Sequence, residues 1–311
     1  VCITDSEYAD YEIENAVLSP AGIKVERFQS VDEADVVAAA AGATAILVQY
    51  ASITAGVLDQ LPDLKMISRF GTGFDNVDVE AATERGIWVA NVPVYGTDEV
   101  AVHTFALMLG ALRGLPYYEG ARRRGDWPPP AQLPEQPADL VLGVLGAGRI
   151  GRRVIELAAP LFGKVYWYDP FVAASIPGAE RVGTVDALLE RSNVLTVHLP
   201  LADDTRHTIT HRELRLLREP RILVNASRGA IVSDEGLERA IADGTLWAAG
   251  LDMLETDPVP AWALESDRIL LSPHAGWASR PALEDVRRRA AQNVVDFFLE
   301  GRPTTPVNRL D

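Results

Sequence analysis

The stretch VLGVLGAGRIGRRV, residues 141–154, passes from an apolar run into glycines at 146, 148 and 151 and resumes as a helix-compatible segment. A buried strand that becomes a helix through glycines at this spacing offers backbone amides at a helix N-terminus, where a phosphate can be held. In that reading Gly146 makes the turn, Gly148 permits close approach of the ligand, and Gly151 lets helix and strand pack tightly, with Arg149 and Ile150 opening the helix. The alternative is a tight connection with no ligand, so the flanking sequence has to decide. LVLGVL before the turn reads as a buried strand, and RIGRRVIELAAPLF after it spaces Ile150, Val154, Leu157 and Leu161 as one apolar helix face. The next strand, KVYWYD, ends in Asp169, 18 residues beyond Gly151. A carboxylate there accepts from both hydroxyls of an adenosine ribose and repels a 2′-phosphate, which favours NAD over NADP.

Short strands alternate with helices through the first hundred residues (VCIT, IKVERF, ATAILVQY, LKMISRF, IWVANVP), with a first helix expected to run through Ala16. The alternation returns from 140 to about 272 (LVLGVL, KVYWYD, NVLTVHL, RILVNAS, LWAAGLD, RILLSP). This pattern predicts an α/β protein with two doubly wound parallel-sheet domains, one Rossmann-type and binding NAD, the other flavodoxin-like and binding substrate, with a cleft between them. The predicted substrate domain is discontinuous, 1–97 and 281–311, and the NAD domain spans 98–280. TDEVAVHTFALMLGALRGL reads as one long crossing helix N-capped by Thr97. ALEDVRRRAAQNVVDFFLEG reads as a final helix that stops at Gly301, and the tail beyond it is expected to return to the first domain.

A formal charge of −15 argues against nucleic acid as a partner, because phosphate binding by counterion release needs clustered Lys and Arg. The short cluster Arg122 to Arg124, beside the proline-rich WPPPAQLPEQP, reads as a solvated loop edge. No apolar run reaches the length of a membrane span and no leader-like segment opens the chain, so no membrane partner and a cytoplasmic location are expected. The single cysteine, Cys2, cannot form an internal disulfide and is expected to be structural, in a reducing compartment.

Ligands of doubly wound sheets bind beyond the carboxyl ends of the strands, which directs attention to RFGTGFDN, NASRGAIVSDE, GLDMLETDP and SPHAGW. Arg228 follows a strand, where a planar guanidinium can grip a carboxylate and a neighbouring carbonyl oxygen. Among five histidines, His274 is the best general acid. His103 falls inside the crossing helix and is expected to be packed or at an interface. His198 is a weaker candidate for lining the cofactor site. His207 and His211 are separated by an expected helix cap at Thr210, so no metal pair is expected. A histidine that donates a proton benefits from a carboxylate neighbour, for which Asp257 and Glu255 are both available, and Asp252 is placed to bond a nicotinamide amide.

From VCITDSEYAD to TTPVN, the chain resembles the D-isomer-specific 2-hydroxyacid dehydrogenases. The resemblance implies that NASRGAIVSDE supplies the catalytic arginine as Arg228, that LDMLETDP supplies the acid as Asp257 with Glu255 a bystander, and that SPHAGW supplies the catalytic histidine as His274. RFGTGFDNVD and the tryptophan of PHAGW resemble the branch that includes the C-terminal-binding proteins. There Arg69 and Trp277 border the substrate, and Gly71, Thr72 and Gly73 offer amides to its carboxylate. Pro200, Thr205, Ala226 and Ser227, with Arg228, Asp252 and His274, are expected to complete the cofactor site. Three departures stand out: Asp257 is shorter than the usual Glu, Asp139 and Val141 replace a common Gly and Thr, and the proline-rich loop lacks a familiar basic pattern. The expected activity is NAD(H)-dependent interconversion of a 2-oxo acid and a D-2-hydroxy acid by a homodimer, with domain closure over the substrate. The rival is an NAD-sensing scaffold with incidental chemistry.

Overall fold

The computed structural model describes residues 1–30, 32–127 and 135–310, so most of the proline-rich stretch lies outside the described residues. It divides into two compact units, Val1–Tyr95 with Ser279–Asp311, and Gly96–Ala278. No single helix among the described residues is long and apolar enough to cross a membrane.

The first unit starts with β1 (Cys2–Ile3), α1 (Glu12–Leu18), β2 (Glu26–Arg27), α2 (Glu33–Ala40), β3 (Ala45–Val48), α3 (Ala55–Asp59), β4 (Met66–Arg69), α4 (Val79–Glu84) and β5 (Trp88–Ala90). Its strands are parallel in the order β2-β1-β3-β4-β5, the flavodoxin-like order expected above. Asp32, Thr54 and Asp78 start the second, third and fourth helices by accepting from amides three residues on, which satisfies donors that a helix cannot pair internally. Ile46, Val48, Ile67 and Val89 carry one face of the sheet into the core with Val36, Val57 and Leu58 of the helices. Cys2 is 3 % exposed, and burial pushes its thiol up to about 12, in keeping with a structural role.

The second unit runs α5 (Thr97–Leu112), α6 (Leu115–Arg123), β6 (Val141–Leu145), α7 (Arg149–Ala158), β7 (Lys164–Tyr168), β8 (Glu180–Arg181), α8 (Val185–Leu189), β9 (Val194–Val197), α9 (His211–Leu216), β10 (Ile222–Asn225), α10 (Asp234–Ala242), β11 (Ala248–Leu251), α11 (Ala261–Leu264) and β12 (Ile269–Leu271). Its parallel sheet has the order β12-β11-β10-β9-β6-β7-β8, the Rossmann arrangement with one further strand. Strand alternation divides the core in two. Leu142, Val144, Val194, Ile222 and Val224 face one layer, while Leu145, Leu195, Val197, Leu223 and Leu251 face the other. Each fully buried side chain of this size contributes about 1.5–3 kcal/mol. The chain then enters α12 (Arg280–Glu300), which belongs to the first unit and is tied to α1 by the buried fork from Arg287 to Glu14, 2.8 and 2.7 Å. Gly301 closes it in the left-handed conformation, φ +77°.

Four local expectations are corrected. Thr97 is the first residue of its helix rather than its cap: Gly96 holds the cap position and no side chain caps the helix. The crossing helix is not continuous, because Gly114 turns left-handed (φ +64°) and Pro116 begins a new helix with Leu115. Arg122 and Arg123 accordingly close α6, where cations favour a helix C-terminus, instead of edging a loop. The helix after the glycine turn ends at Ala158, two residues before Pro160, so its buried face is Gly151, Val154, Ile155 and Ala158, and Leu161 lies beyond it, 38 % exposed. The strand Glu180–Arg181 went unread because two exposed polar residues carry no periodic signal.

Candidate active site

Each fingerprint glycine has a separate reason. Gly146 sits at φ +93°, and a Cβ on it would lie 2.6 Å from the His198 carbonyl oxygen. On Gly151 a Cβ would lie 2.0 Å from the Gly146 carbonyl oxygen, so helix and turn could not close. Gly148, the helix cap, faces open space within 4 Å, which is what a pyrophosphate needs. The turn also reaches Asp169, whose Oδ2 accepts from the Ala147 amide (2.9 Å) while Oδ1 accepts from the Phe171 amide (2.8 Å). Two amides thus hold the carboxylate in place and leave each oxygen a further acceptor site for ribose. These features fit a bound dinucleotide. The imidazole of His198 lies against Thr196 Oγ1 (2.9 Å), and desolvation holds it down at about 3, so it is neutral at physiological pH.

Because β10, β11 and β12 are neighbours, their carboxyl ends carry Arg228, Asp252 and His274 on adjacent loops. Arg228 Nη1 donates to the Ser227 carbonyl (2.9 Å), and Asn225 shapes that loop by donating to the Arg228 carbonyl (2.9 Å) and accepting from the Ser227 amide and hydroxyl (3.0 and 2.7 Å). A Cβ on Gly229 would meet the Leu254 carbonyl oxygen at 2.0 Å, so the arginine loop packs directly on the loop that follows β11. Asp252 is 2 % exposed and clamps the histidine loop: its carboxylate accepts from Ser272 Oγ (2.6 Å) and from the Ala275 and Gly276 amides (both 2.9 Å), and its carbonyl accepts from the His274 amide (2.7 Å). Those bonds hold His274 at φ +53°, a conformation disfavoured for a non-glycine residue.

His103 joins this cluster, Nε2 lying 2.8 Å from Ser272 Oγ and 3.3 Å from Asp252 Oδ1. The serine proton is directed to the carboxylate, which only accepts, so the hydroxyl must receive from His103 and is not activated as a nucleophile. Neither Ser272 nor His103 was identified as part of the site from sequence.

The other candidates fall as follows. Glu255 accepts from Arg206 and pairs with His207, both at 2.6 Å, which occupies its carboxylate away from His274. Asp257 is exposed and has no hydrogen-bond or ion-pair partner among the described residues, so the structure does not pair it with His274. The Thr205 hydroxyl closes a turn on the Pro200 carbonyl (2.7 Å). Thr210 does cap a helix, in a reciprocal box with Glu213. Trp277 is half-buried, with its Cβ 3.5 Å from where a side chain on Gly96 would start.

In the first unit, Arg69 ends β4, is 8 % exposed, and folds back over Gly71, where a Cβ would lie 1.9 Å from its Nη1. Gly71 has φ +131°, and its amide donates to the Arg69 carbonyl (3.0 Å), so of the expected trio this one is taken up within its own loop. That segment is tied down by Thr72 Oγ1 donating to the Val92 carbonyl (3.1 Å) and by Asn91 Nδ2 donating to the Thr72 carbonyl (2.6 Å).

The Rossmann strand order, the glycine turn and the carboxylate of Asp169 after β7 define the second unit as a dinucleotide-binding domain of the dehydrogenase class. The chain belongs to the D-isomer specific 2-hydroxyacid dehydrogenase family: residues 105–276 match the model of that family's NAD binding domain. It is 37 % identical over 271 residues to a glyoxylate reductase of Aeropyrum pernix, covering 83 % of this chain and 80 % of the relative. A glycerate dehydrogenase of Methylorubrum extorquens is 32 % identical over 311 residues, covering 97 % and 92 % of the two chains. Among solved structures, D-lactate dehydrogenase of Aquifex aeolicus, complexed with NAD and lactic acid, superposes with a TM-score of 0.84 at 26 % identity, covering 96 % and 95 %.

Proposed function

We propose that this chain is an NAD(H)-dependent oxidoreductase that interconverts a 2-oxo acid and its D-2-hydroxy acid. The observation that carries the reading is the succession of Arg228, Asp252 and His274 on the ends of three adjacent parallel strands, in the same sheet as the glycine turn and Asp169. When bound, NADH supplies a hydride to the carbonyl carbon. Arg228 holds the substrate carboxylate and polarises the carbonyl with its planar fork, and His274 donates the proton that the developing alkoxide takes up. The Thr72 and Gly73 amides bind the carboxylate, and Arg69 and Trp277 border the substrate. Pro200, Thr205, Ala226 and Ser227 line the cofactor, and Asp252 accepts from its amide through Oδ2 while clamping the His274 loop. We assign the first unit as the substrate domain. A reducing cytoplasm accords with the single unpaired Cys2, and a homodimer with the apolar side chains that the crossing helices leave exposed, Val102 and Leu115, each 54 %. Light scattering in solution tests the dimer.

Two variants test the roles assigned by residue. Asp169→Gly removes the ribose acceptor and the repulsion of a 2′-phosphate together, so the preference for NADH over NADPH narrows or reverses. Unchanged discrimination in paired dissociation constants would remove Asp169 from cofactor choice. Although Asp257 has no partner among the described residues, its place directly before Pro258, where the family carries its acid, assigns it as the carboxylate that favours the His274 imidazolium. In Asp257→Asn the reductive limb of the pH profile therefore moves to lower pH, while oxidation, which needs neutral imidazole, improves relatively at low pH. Glu255→Gln leaves both limbs in place, because that carboxylate serves Arg206 and His207. kcat/KM against pH in both directions decides, and a shift in the Glu255 variant alone would move the role two residues back.

A further inference from the structure

The first unit carries a charge that the chemistry above leaves unused. Strands β1, β3 and β4 are neighbours in a parallel sheet, so the segments that follow them emerge side by side at one edge. Two carboxylates there have different tasks. Asp5 is 8 % exposed and accepts from the Gln49, Tyr50 and Ala51 amides (3.2, 2.6 and 3.2 Å) and from Thr4 Oγ1 (3.0 Å), which spends its acceptor capacity on the turn after β3.

Glu7 is exposed, yet fixed. Its Oε1 accepts from Gln49 Nε2 (2.7 Å) and its Oε2 from the Tyr50 hydroxyl (3.2 Å), and its amide donates to Gln49 Oε1 (2.9 Å). Both partners are neutral, so the carboxylate is held in position by hydrogen bonds and not by an ion pair, and each oxygen keeps a second acceptor site. The next residue, Tyr8, stacks edge-on against Phe70 with ring centroids 5.5 Å apart, which locks the Glu7 segment to the Arg69–Gly73 segment. Tyr50, 47 % exposed, feels the charges of both Glu7 and Arg69.

We infer that Glu7, presented by Gln49 and Tyr50, reads the distal end of the substrate, selecting 2-oxo acids whose side chain ends in a hydrogen-bond donor (a hydroxyl or an amine) and rejecting those that end in a second anion. The inference rests on the 2-oxo acid reading above. A carboxylate fixed at the same sheet edge as the segment after β4 receives an O–H or N–H from the tail of a substrate anchored by its own carboxylate. A terminal carboxylate or phosphate at the same place meets like charge and carries no proton to donate to Glu7.

The test compares matched pairs under NADH: hydroxypyruvate with oxaloacetate, and a terminal amino 2-oxo acid with the dicarboxylic 2-oxo acid of equal chain length. The parent prefers the donor-tailed member of each pair in kcat/KM. Glu7→Gln, which keeps the size, the bond from Gln49 and, with the hydroxyl turned to accept, the contact with Tyr50, narrows the ratio roughly ten- to hundredfold. Glu7→Lys reverses it. Calorimetric dissociation constants for the corresponding D-2-hydroxy acids follow the same order, a readout independent of turnover. If all four compounds are reduced and neither variant changes the ratios, Glu7 only braces its loop and the inference is overturned. If none of them nor any simple 2-oxo acid is reduced by the parent, the functional reading itself fails and takes this inference with it.

Discussion

Arg228→Lys lowers kcat/KM for 2-oxo acid reduction by roughly two to three orders of magnitude, the range seen when one preorganised donor is removed from a developing oxyanion. Lysine keeps the charge and loses the fork, so one ammonium cannot serve the carboxylate and the carbonyl oxygen in fixed directions. The loss therefore appears in kcat as well as in KM, whereas NADH binding, followed by fluorescence quenching, stays close to that of the parent. The loop itself survives the substitution, because Asn225 holds it through the backbone carbonyl of residue 228 and through Ser227, not through the guanidinium. Unaltered oxo-acid kinetics in this variant would confine Arg228 to closing its loop.

The second large effect belongs to Asp252, chiefly through its clamp on the His274 loop. In Asp252→Asn one carboxylate oxygen becomes an NH2 group facing either the Gly276 amide or the Ser272 hydroxyl and Ala275 amide, all of them donors. Leaving such buried groups unsatisfied costs about 1–3 kcal/mol each. For a domain of this size each kcal/mol lowers Tm by roughly 2–4 °C. Activity falls further than stability does, by about a hundredfold, because the same bonds hold His274 in its left-handed conformation and a displacement near 1 Å is enough for such a loss. Ser272→Ala removes one donor and gives a smaller loss of the same kind. A folded Asp252→Asn protein with parental Tm and kcat would show that the histidine loop holds its shape without the clamp.

The catalytic candidates were legible because a parallel α/β sheet puts chemistry just after its strands, and because the glycines at 146, 148 and 151, the carboxylate at 169 and the arginine and histidine at 228 and 274 all stand at such points in short, local strings. The sheets themselves were legible from alternation, down to the flavodoxin-like and Rossmann orders. What sequence could not give is non-local. Nothing in GLDMLETDP announces that Asp252 accepts from residues 272, 275 and 276, or that His103, one position in a helical pattern, arrives beside Ser272. Backbone hydrogen bonding is equally silent: the Gly71 amide is taken by its own loop. Helix ends misread at Thr97 and Gly114 depend on the φ of a single residue, which composition does not fix.

The most direct test of the account is stoichiometric: the purified chain, NADH and a panel of 2-oxo acids, with NADH consumption followed by absorbance and the product resolved by chiral chromatography. The account predicts that at least one 2-oxo acid consumes NADH in equal amount to the D-2-hydroxy acid formed, that NADPH serves less well, and that His274→Asn abolishes turnover while NADH still binds. Normal NADH binding with no turnover of any 2-oxo acid, or an L-configured product, would contradict it, and the first of these would leave an NAD-sensing scaffold in its place.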